Sequence, residues 1–363
     1  MNTSILSIYT VFLLLVISCN SQQLHSQQLE DVKPKNIILM IGDGMGLSQI
    51  SAAMYQKDSP LAMEEAQHIG LIKTHSSSSI ITDSAAGATA FSTGQKTYNG
   101  AINMSKDTIP LTPITTTLKN EKIKTGIIAT SSVTHATPAC FYGNQINRYG
   151  VNEALAKQFT NTNINVLMGG GEDYFNNRND GQNLIDSLKK KNYIIIDSII
   201  DEIPYNTEKL INFCAPKEPK AKQNGRDNFL PLATKKALDV LNYNNNHGFF
   251  IMIEGSQIDW GGHDNNSEYI ISETLDFDDA VKIVIDFAKK DRTTLVLITA
   301  DHETGGYGII GRNKSETQLE TGFLNNDHTA TMVPLFAFGP GANKFIGTYE
   351  NTDLYYKILA AYK

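Results

Sequence analysis

Cysteine, tryptophan and net positive charge are all scarce in this chain of 363 residues. Its three cysteines, Cys19, Cys140 and Cys214, are too few for a disulfide-stapled scaffold or a cysteine-rich zinc module. A formal net charge of -7 denies it the basic face that a nucleic-acid backbone requires. No apolar run reaches the ~20 residues of a membrane-spanning helix. Charged residues at 19% and hydrophobic residues at 41% match an ordinary globular protein and exclude disordered, collagen-like and coiled-coil chains. With so little sulfur, the chemistry has to be read from Asp, Glu, His and Ser.

The longest apolar stretch runs from Ile5 to Ile17 and, at 13 residues, is too short to cross a bilayer. It reads as the apolar part of a secretory leader, although no Lys or Arg precedes Lys33. Val16-Ile17-Ser18-Cys19 resembles a bacterial lipoprotein box, in which Cys19 becomes a lipid anchor. The alternative is ordinary cleavage between Cys19 and about Gln28. The expected organisation is a leader over 1–22, a polar tether over 23–35 and one catalytic domain over 36–363. Export would put the protein in the periplasm or outside the cell, membrane-anchored if Cys19 is lipidated. In that oxidising setting Cys140 and Cys214 could pair, but two isolated cysteines are more commonly buried thiols.

Short, continuous apolar runs recur at Asn36–Ile41, Thr125–Ala129, Phe249–Ile253, Thr294–Thr299 and Val333–Phe338. Continuous rather than alternating hydrophobicity predicts strands buried on both faces, as in a parallel sheet covered by helices. Amphipathic stretches at Leu230–Leu241 and Glu273–Lys290 supply helices. In the second, Leu275, Ala280, Val281, Val284, Phe287 and Ala288 share one side. The fold class is therefore α/β, a doubly wound, mostly parallel sheet with helices on both faces. Ligands in such sheets bind beyond the carboxyl ends of the strands. There the chain carries Asp43, Glu254, the Asp301-His302 pair and the segment Ser131–His135. Four placements of this kind point to a site rather than to helix caps.

Five motifs arrive in order across most of the chain: Asp43-Gly44-Met45-Gly46, Thr82-Asp83-Ser84-Ala85-Ala86, Asp259-x-x-x-His263, Ala300-Asp301-His302-Glu303-Thr304 and Asp327-His328-Thr329. Together they resemble the alkaline phosphatase family, and the short form with His135 and Trp260 is similar to small, cold-active bacterial members. The resemblance implies hydrolysis of phosphate monoesters, two zinc ions and a magnesium ion. Asp259, His263 and His328 would hold the first zinc, and Asp301 and His302 the second. Asp43 would bridge towards a third site completed by Glu254 and Thr137, where hard oxygen ligands favour magnesium. It also implies a homodimer and a phosphoserine intermediate.

The chemistry is consistent with the residue types. Two divalent cations roughly 4 Å apart can stabilise both attacking and leaving oxygens. An Asp and a His four residues apart share one face of a helical turn. Ser84 follows Asp83 at the start of a small-residue run, so it stands at a helix N-terminus whose N–H groups suit phosphate. Asp83 is then the cap, while Ser84 is the nucleophile. Arg148 lies 13 residues after His135, the family's interval to its phosphate-gripping arginine. Bacterial relatives often carry Asp at the His135 position and Lys at the Trp260 position. Product phosphate is therefore expected to bind more loosely here.

The interval of 26 positions from His302 to His328 leaves no room for a large crown insertion. Between Gly169 and Arg226 the charges are expected to form a solvated face, with Gly169-Gly170-Gly171 as a flexible turn rather than a phosphate cradle. Rival members of the fold family fit less well. Cys140-Phe141-Tyr142-Gly143-Asn144 lacks a sulfatase's Cys-x-Pro-x-Arg pattern, and diesterases of the superfamily typically use Thr as nucleophile. Cofactor-independent phosphoglycerate mutases are cytosolic, in conflict with the leader. A catalytically idle binding module would have no need of Ser84 beside a full ligand set.

Overall fold

The computed structural model of the chain describes residues 33–200, 202–315 and 318–363. The expected leader, Cys19 and nearly all of the tether lie outside the described residues. Fourteen strands follow in chain order: β1 (Asn36–Gly42), β2 (His68–Lys73), β3 (Lys124–Ser132), β4 (Val166–Gly170), β5 (Ile194–Ile196), β6 (Leu210–Ala215), β7 (Phe249–Gly255), β8 (Thr294–Thr299), β9 (Glu303–Thr304), β10 (Gly308–Arg312), β11 (Leu319–Gly322), β12 (His328–Thr329), β13 (Val333–Phe338) and β14 (Gly347–Glu350). Ten of them form one sheet in the order β14-β2-β13-β8-β1-β7-β3-β4-β6-β5, with helices on both sides. The small pairs β10-β11 and β9-β12 stand apart from it.

The central strands are buried along their whole length, as continuous hydrophobicity predicts. One expectation needs correcting. The run Val333–Phe338 is a strand, but it pairs antiparallel with both β8 and β2. Burial on two faces selects apolar residues whichever way a strand runs, so composition does not encode direction. Pro334 has no N–H to offer and lies outside the rungs that β13 shares with β8, Phe336–Phe338.

The two expected helices form as Phe229–Asn242 and Ser267–Asp291. In the longer one Ala280, Val281, Val284 and Ala288 are buried, and Leu275 and Phe287 pack partly buried against the same core. Across 169–226 the described charged residues are exposed or half-buried as expected, except for Arg226, but the glycine run is not a free turn. Gly169 and Gly170 end the buried strand β4, where a Cβ on Gly170 would come 2.1 Å from the Lys217 carbonyl. Arg226 is buried and bonds Glu273 at 2.5 Å and Asp276 at 3.0 Å. Cys140 is buried and Cys214 exposed, and both are free thiols, so only one matches the buried-thiol reading. Among the described residues no helix is long and apolar enough to cross a membrane.

Strand order positions the site. β8, β1, β7 and β3 are consecutive neighbours, all parallel, so their carboxyl ends meet at one edge. Glu254 lies level with Ile41 and Ala129. Asp43, one residue beyond β1, donates its N–H to the Gly255 carbonyl at 3.1 Å. Four chain segments far apart in sequence thus deliver their functional side chains to one place.

Candidate active site

Ser84 opens the helix Ser84–Thr93, and Asp83 caps it by accepting the Ala86 N–H at 2.9 Å. The second Asp83 oxygen accepts the Gly100 N–H at 3.0 Å and lies 3.4 Å from Arg148. Ser84 is 2% exposed, and its Oγ lies 3.3 Å from His302 Nε2. That same Nε2 faces Asp43 Oδ1 at 3.3 Å and Asp301 Oδ2 at 3.4 Å. Neither of these carboxylate oxygens has a hydrogen-bond partner.

The second cluster is built on the helix Gln257–His263 and the strand pair β9-β12. His263 Nε2 lies 3.3 Å from Asp259 Oδ2, four residues back on the same face. His328 Nε2 lies 3.5 Å from Asp259 Oδ1 and 3.2 Å from His263 Nε2. Each ring's Nδ1 bonds a backbone carbonyl at 2.8 Å, Asn326 for His263 and Thr82 for His328. The carbonyl takes the Nδ1 hydrogen and turns both Nε2 atoms inward. His302 and His328 stack, with ring centroids 3.6 Å apart.

A third group joins Asp43, His135 and Glu254, with the Thr137 hydroxyl 3.5 Å from Asp43. Both Glu254 oxygens and His135 Nδ1 are buried and unpartnered. His135 Nε2 lies 3.2 Å from an Arg148 nitrogen, and its ring meets Trp260 edge-on at 5.9 Å.

Charge in this space is unbalanced. Burial, reinforced by Asp301, pushes the Asp43 carboxyl well above its ordinary range. Burial, then Asp259, raises Asp301 to about 7. Burial lifts Glu254 to about 8. Burial opposes ionisation of Asp259 as well, but its bond with His263 and the nearby imidazoles hold it below the usual range. His263 rises to about 9 through that same bond. His135 falls to about 3 through burial and then Arg148.

The donor set fits divalent cations on these grounds. Buried carboxylates and inward-facing Nε2 atoms converge in overlapping groups around Asp259, around Asp301 with His302, and around Asp43 with Glu254, and the Asp43, Asp301 and Glu254 carboxylates keep unpartnered oxygens. Two are mixed nitrogen and oxygen sets of the kind zinc takes. The third adds the hydroxyl of Thr137 to two carboxylates and an imidazole.

Every residue that the sequence proposes as catalytic, phosphate-binding, metal-ligating or supporting lies in this one neighbourhood. Ser84, Arg148, His135, Trp260, Asp259, His263 and His328 line a cleft of about 470 Å³. A larger cleft of about 1100 Å³, beside Tyr205, Tyr243 and Phe287, contains none of them. Sequence reasoning missed Thr304, whose Oγ1 reaches both Asp259 and His302. Its only signal was its place two residues after His302 in a motif already noted.

A family model for alkaline phosphatase matches residues 34–315. Alkaline phosphatase 3 of Bacillus subtilis is 32% identical over 88% of this chain and 87% of its own length. The structure of alkaline phosphatase from the Antarctic bacterium TAB5 superposes with a TM-score of 0.87 at 44% identity, covering 91% of this chain and 98% of that one. A TAB5 variant with glutamate in place of a histidine, and Mg bound in its M3 site, matches at 0.86 and 43% over the same shares. The cold-active enzyme from a psychrophilic Shewanella matches at 0.82 and 28%, over 90% of this chain and all of that one. Sheet, site and relatives agree on a phosphate-ester hydrolase. The chain belongs to the alkaline phosphatase family and is an enzyme acting on phosphate monoesters.

Proposed function

We propose that this enzyme converts phosphate monoesters to alcohol and inorganic phosphate through a phosphoserine on Ser84. The observation that carries this reading is the Ser84 hydroxyl at a helix N-terminus, 3.3 Å from His302 Nε2 and sharing its cleft with Arg148. Arg148 grips two phosphate oxygens with its planar fork, and Asp83 and His135 hold that fork in place. The N–H groups that open the Ser84–Thr93 helix stabilise the negative oxygens. Ser84 Oγ bonds to phosphorus as the bond from phosphorus to the ester oxygen breaks, and the proton that Ser84 gives up passes through solvent to that oxygen, which leaves as the alcohol. Water then cleaves the phosphoserine and returns Ser84.

Asp259, His263 and His328 would hold one zinc, Asp301 and His302 a second, and Asp43, Glu254 and Thr137 a magnesium. Bound there, these ions stabilise the attacking and leaving oxygens. The magnesium in the M3 site of the TAB5 variant supports a magnesium position in this family. Activity rises into alkaline pH, because Ser84 reacts as its alkoxide. The recognised group is phosphate, so the substrate range is broad. Export, with Cys19 lipidated or removed, a catalytic unit over 36–363 and a homodimer complete the proposal.

The test is hydrolysis of a chromogenic phosphate monoester by wild type, Ser84→Ala and EDTA-stripped protein. Both treatments are expected to abolish turnover, the variant by at least about a thousandfold. Zinc and magnesium should restore only the stripped wild type. Robust turnover by Ser84→Ala would overturn the serine route.

A further inference from the structure

Thr304 takes no part in the chemistry just described, yet it occupies the junction of the two zinc-competent clusters. It forms the end of β9 and is fully buried. Its Oγ1 lies 2.5 Å from Asp259 Oδ1 and 3.2 Å from His302 Nδ1. The side chain is fixed in this position from several directions. Its N–H donates to the Gly44 carbonyl at 3.2 Å, and its own carbonyl accepts from Gln49 at 2.9 Å. On β12, His328 is its direct partner. Two glycines make room for it. A Cβ on Gly44 would come 2.8 Å from Thr304 Oγ1, and one on Gly262 would come 2.8 Å from its Cβ.

Hydrogen counting decides what the hydroxyl does. Threonine has one hydroxyl hydrogen and two lone pairs, and an ionised carboxylate can only accept. The hydrogen therefore goes to Asp259, which leaves a lone pair towards His302. His302 Nδ1 must carry the ring hydrogen to meet it, so Nε2 keeps a bare lone pair. That lone pair points at Ser84 Oγ, Asp43 Oδ1 and Asp301 Oδ2, all within 3.4 Å. One hydroxyl thus orients a carboxylate of the first cluster and sets the tautomer of the imidazole in the second.

We infer that Thr304 is a positioning residue that couples the two metal positions, holding Asp259 and His302 in mutually dependent orientations. This rests on the metal-centred reading of the site. The hydroxyl is fully buried and does not line the cleft that holds Ser84, so its effect passes through the two ligands it holds.

The experiment is a zinc titration of metal-stripped, full-length protein against a chromophoric chelator, for wild type, Thr304→Val, Thr304→Ala and Thr304→Ser. Valine keeps the volume and loses the hydroxyl, alanine loses both, and serine keeps the hydroxyl. Valine and alanine are expected to weaken both zinc equivalents by about 10–100-fold, the usual worth of a group that orients a metal ligand. Serine should stay within a few-fold of wild type. After saturation with zinc, kcat should fall more than KM rises in the first two variants. Wild-type zinc affinity in either folded hydroxyl-less variant would overturn the proposal, and loss at one equivalent alone would overturn the coupling. Failure of wild type itself to take up zinc would instead overturn the metal-centred reading.

Discussion

At the scale of single residues, the site is a set of buried groups whose charges do not cancel. Glu254 illustrates the consequence. Burial raises its carboxyl to about 8, so the protonated form favours the folded, metal-free chain. That contribution is fully present below the ordinary carboxylate range and is gone once the pH has risen through about 8. Metal-stripped protein should therefore melt at a lower temperature at pH 9 than at pH 6. Asp301 and His263, raised to about 7 and about 9, add to the same trend, so Glu254→Gln should lessen that difference in scanning calorimetry without removing it, and a stripped wild type with no pH trend would contradict it. The pair His135 and Trp260 tests a different property. Neutral His135 accepts from Arg148 and brings no charge of its own to the phosphate cleft. Replacing the pair as His135→Asp with Trp260→Lys adds a cation beside the bound product. The phosphate inhibition constant should then fall about tenfold, the worth of one charge-assisted hydrogen bond.

Elements matter here through where they end. β1, β7 and β8 stop at Gly42, Gly255 and Thr299, and each hands its next polar residues to the same edge. The turn after β1 depends on Gly44, which has φ +71 and sits with its absent Cβ 2.7 Å from Asp259 Cα. Gly44→Ala meets both the left-handed penalty and that contact. A loss of about 2 kcal/mol or more is expected in urea unfolding. A variant as stable as wild type would mean that the turn relaxes freely. This turn was legible as a motif because Asp43 directly follows an apolar run between two glycines. The need for Gly44 in particular was not, since Asp259 lies more than two hundred residues away and only the fold brings its backbone close.

For the whole molecule, the less legible end of the sheet still carries core: β4 is buried throughout, β6 over most of its length, and the edge strand β5 is half-buried. β4, β5 and β6 extend the parallel sheet beyond β3, although their sequence is rich in Asn, Lys and Gly. Arg226 closes this side by bonding Glu273 and Asp276 on the long helix Ser267–Asp291. Its removal leaves buried Glu273 without a cation and Asp276 with Lys222 alone, so Arg226→Met should cost about 3 kcal/mol, read from the urea midpoint. Adding Glu273→Gln and Asp276→Asn should recover much of that loss. No recovery would mean that packing, rather than uncompensated charge, sets the cost.

By itself the sequence determined the α/β class, the strands that carry the chemistry and nearly every candidate site residue. These are properties of local order: apolar runs mark buried strands, and the residue just past a run is placed by it. Only the tertiary structure decided the reversed direction of β13, the burial of Arg226 and the reach of Thr304 to two ligands at once. Each depends on a neighbour distant in the chain, and one-dimensional composition carries no record of which neighbour that will be.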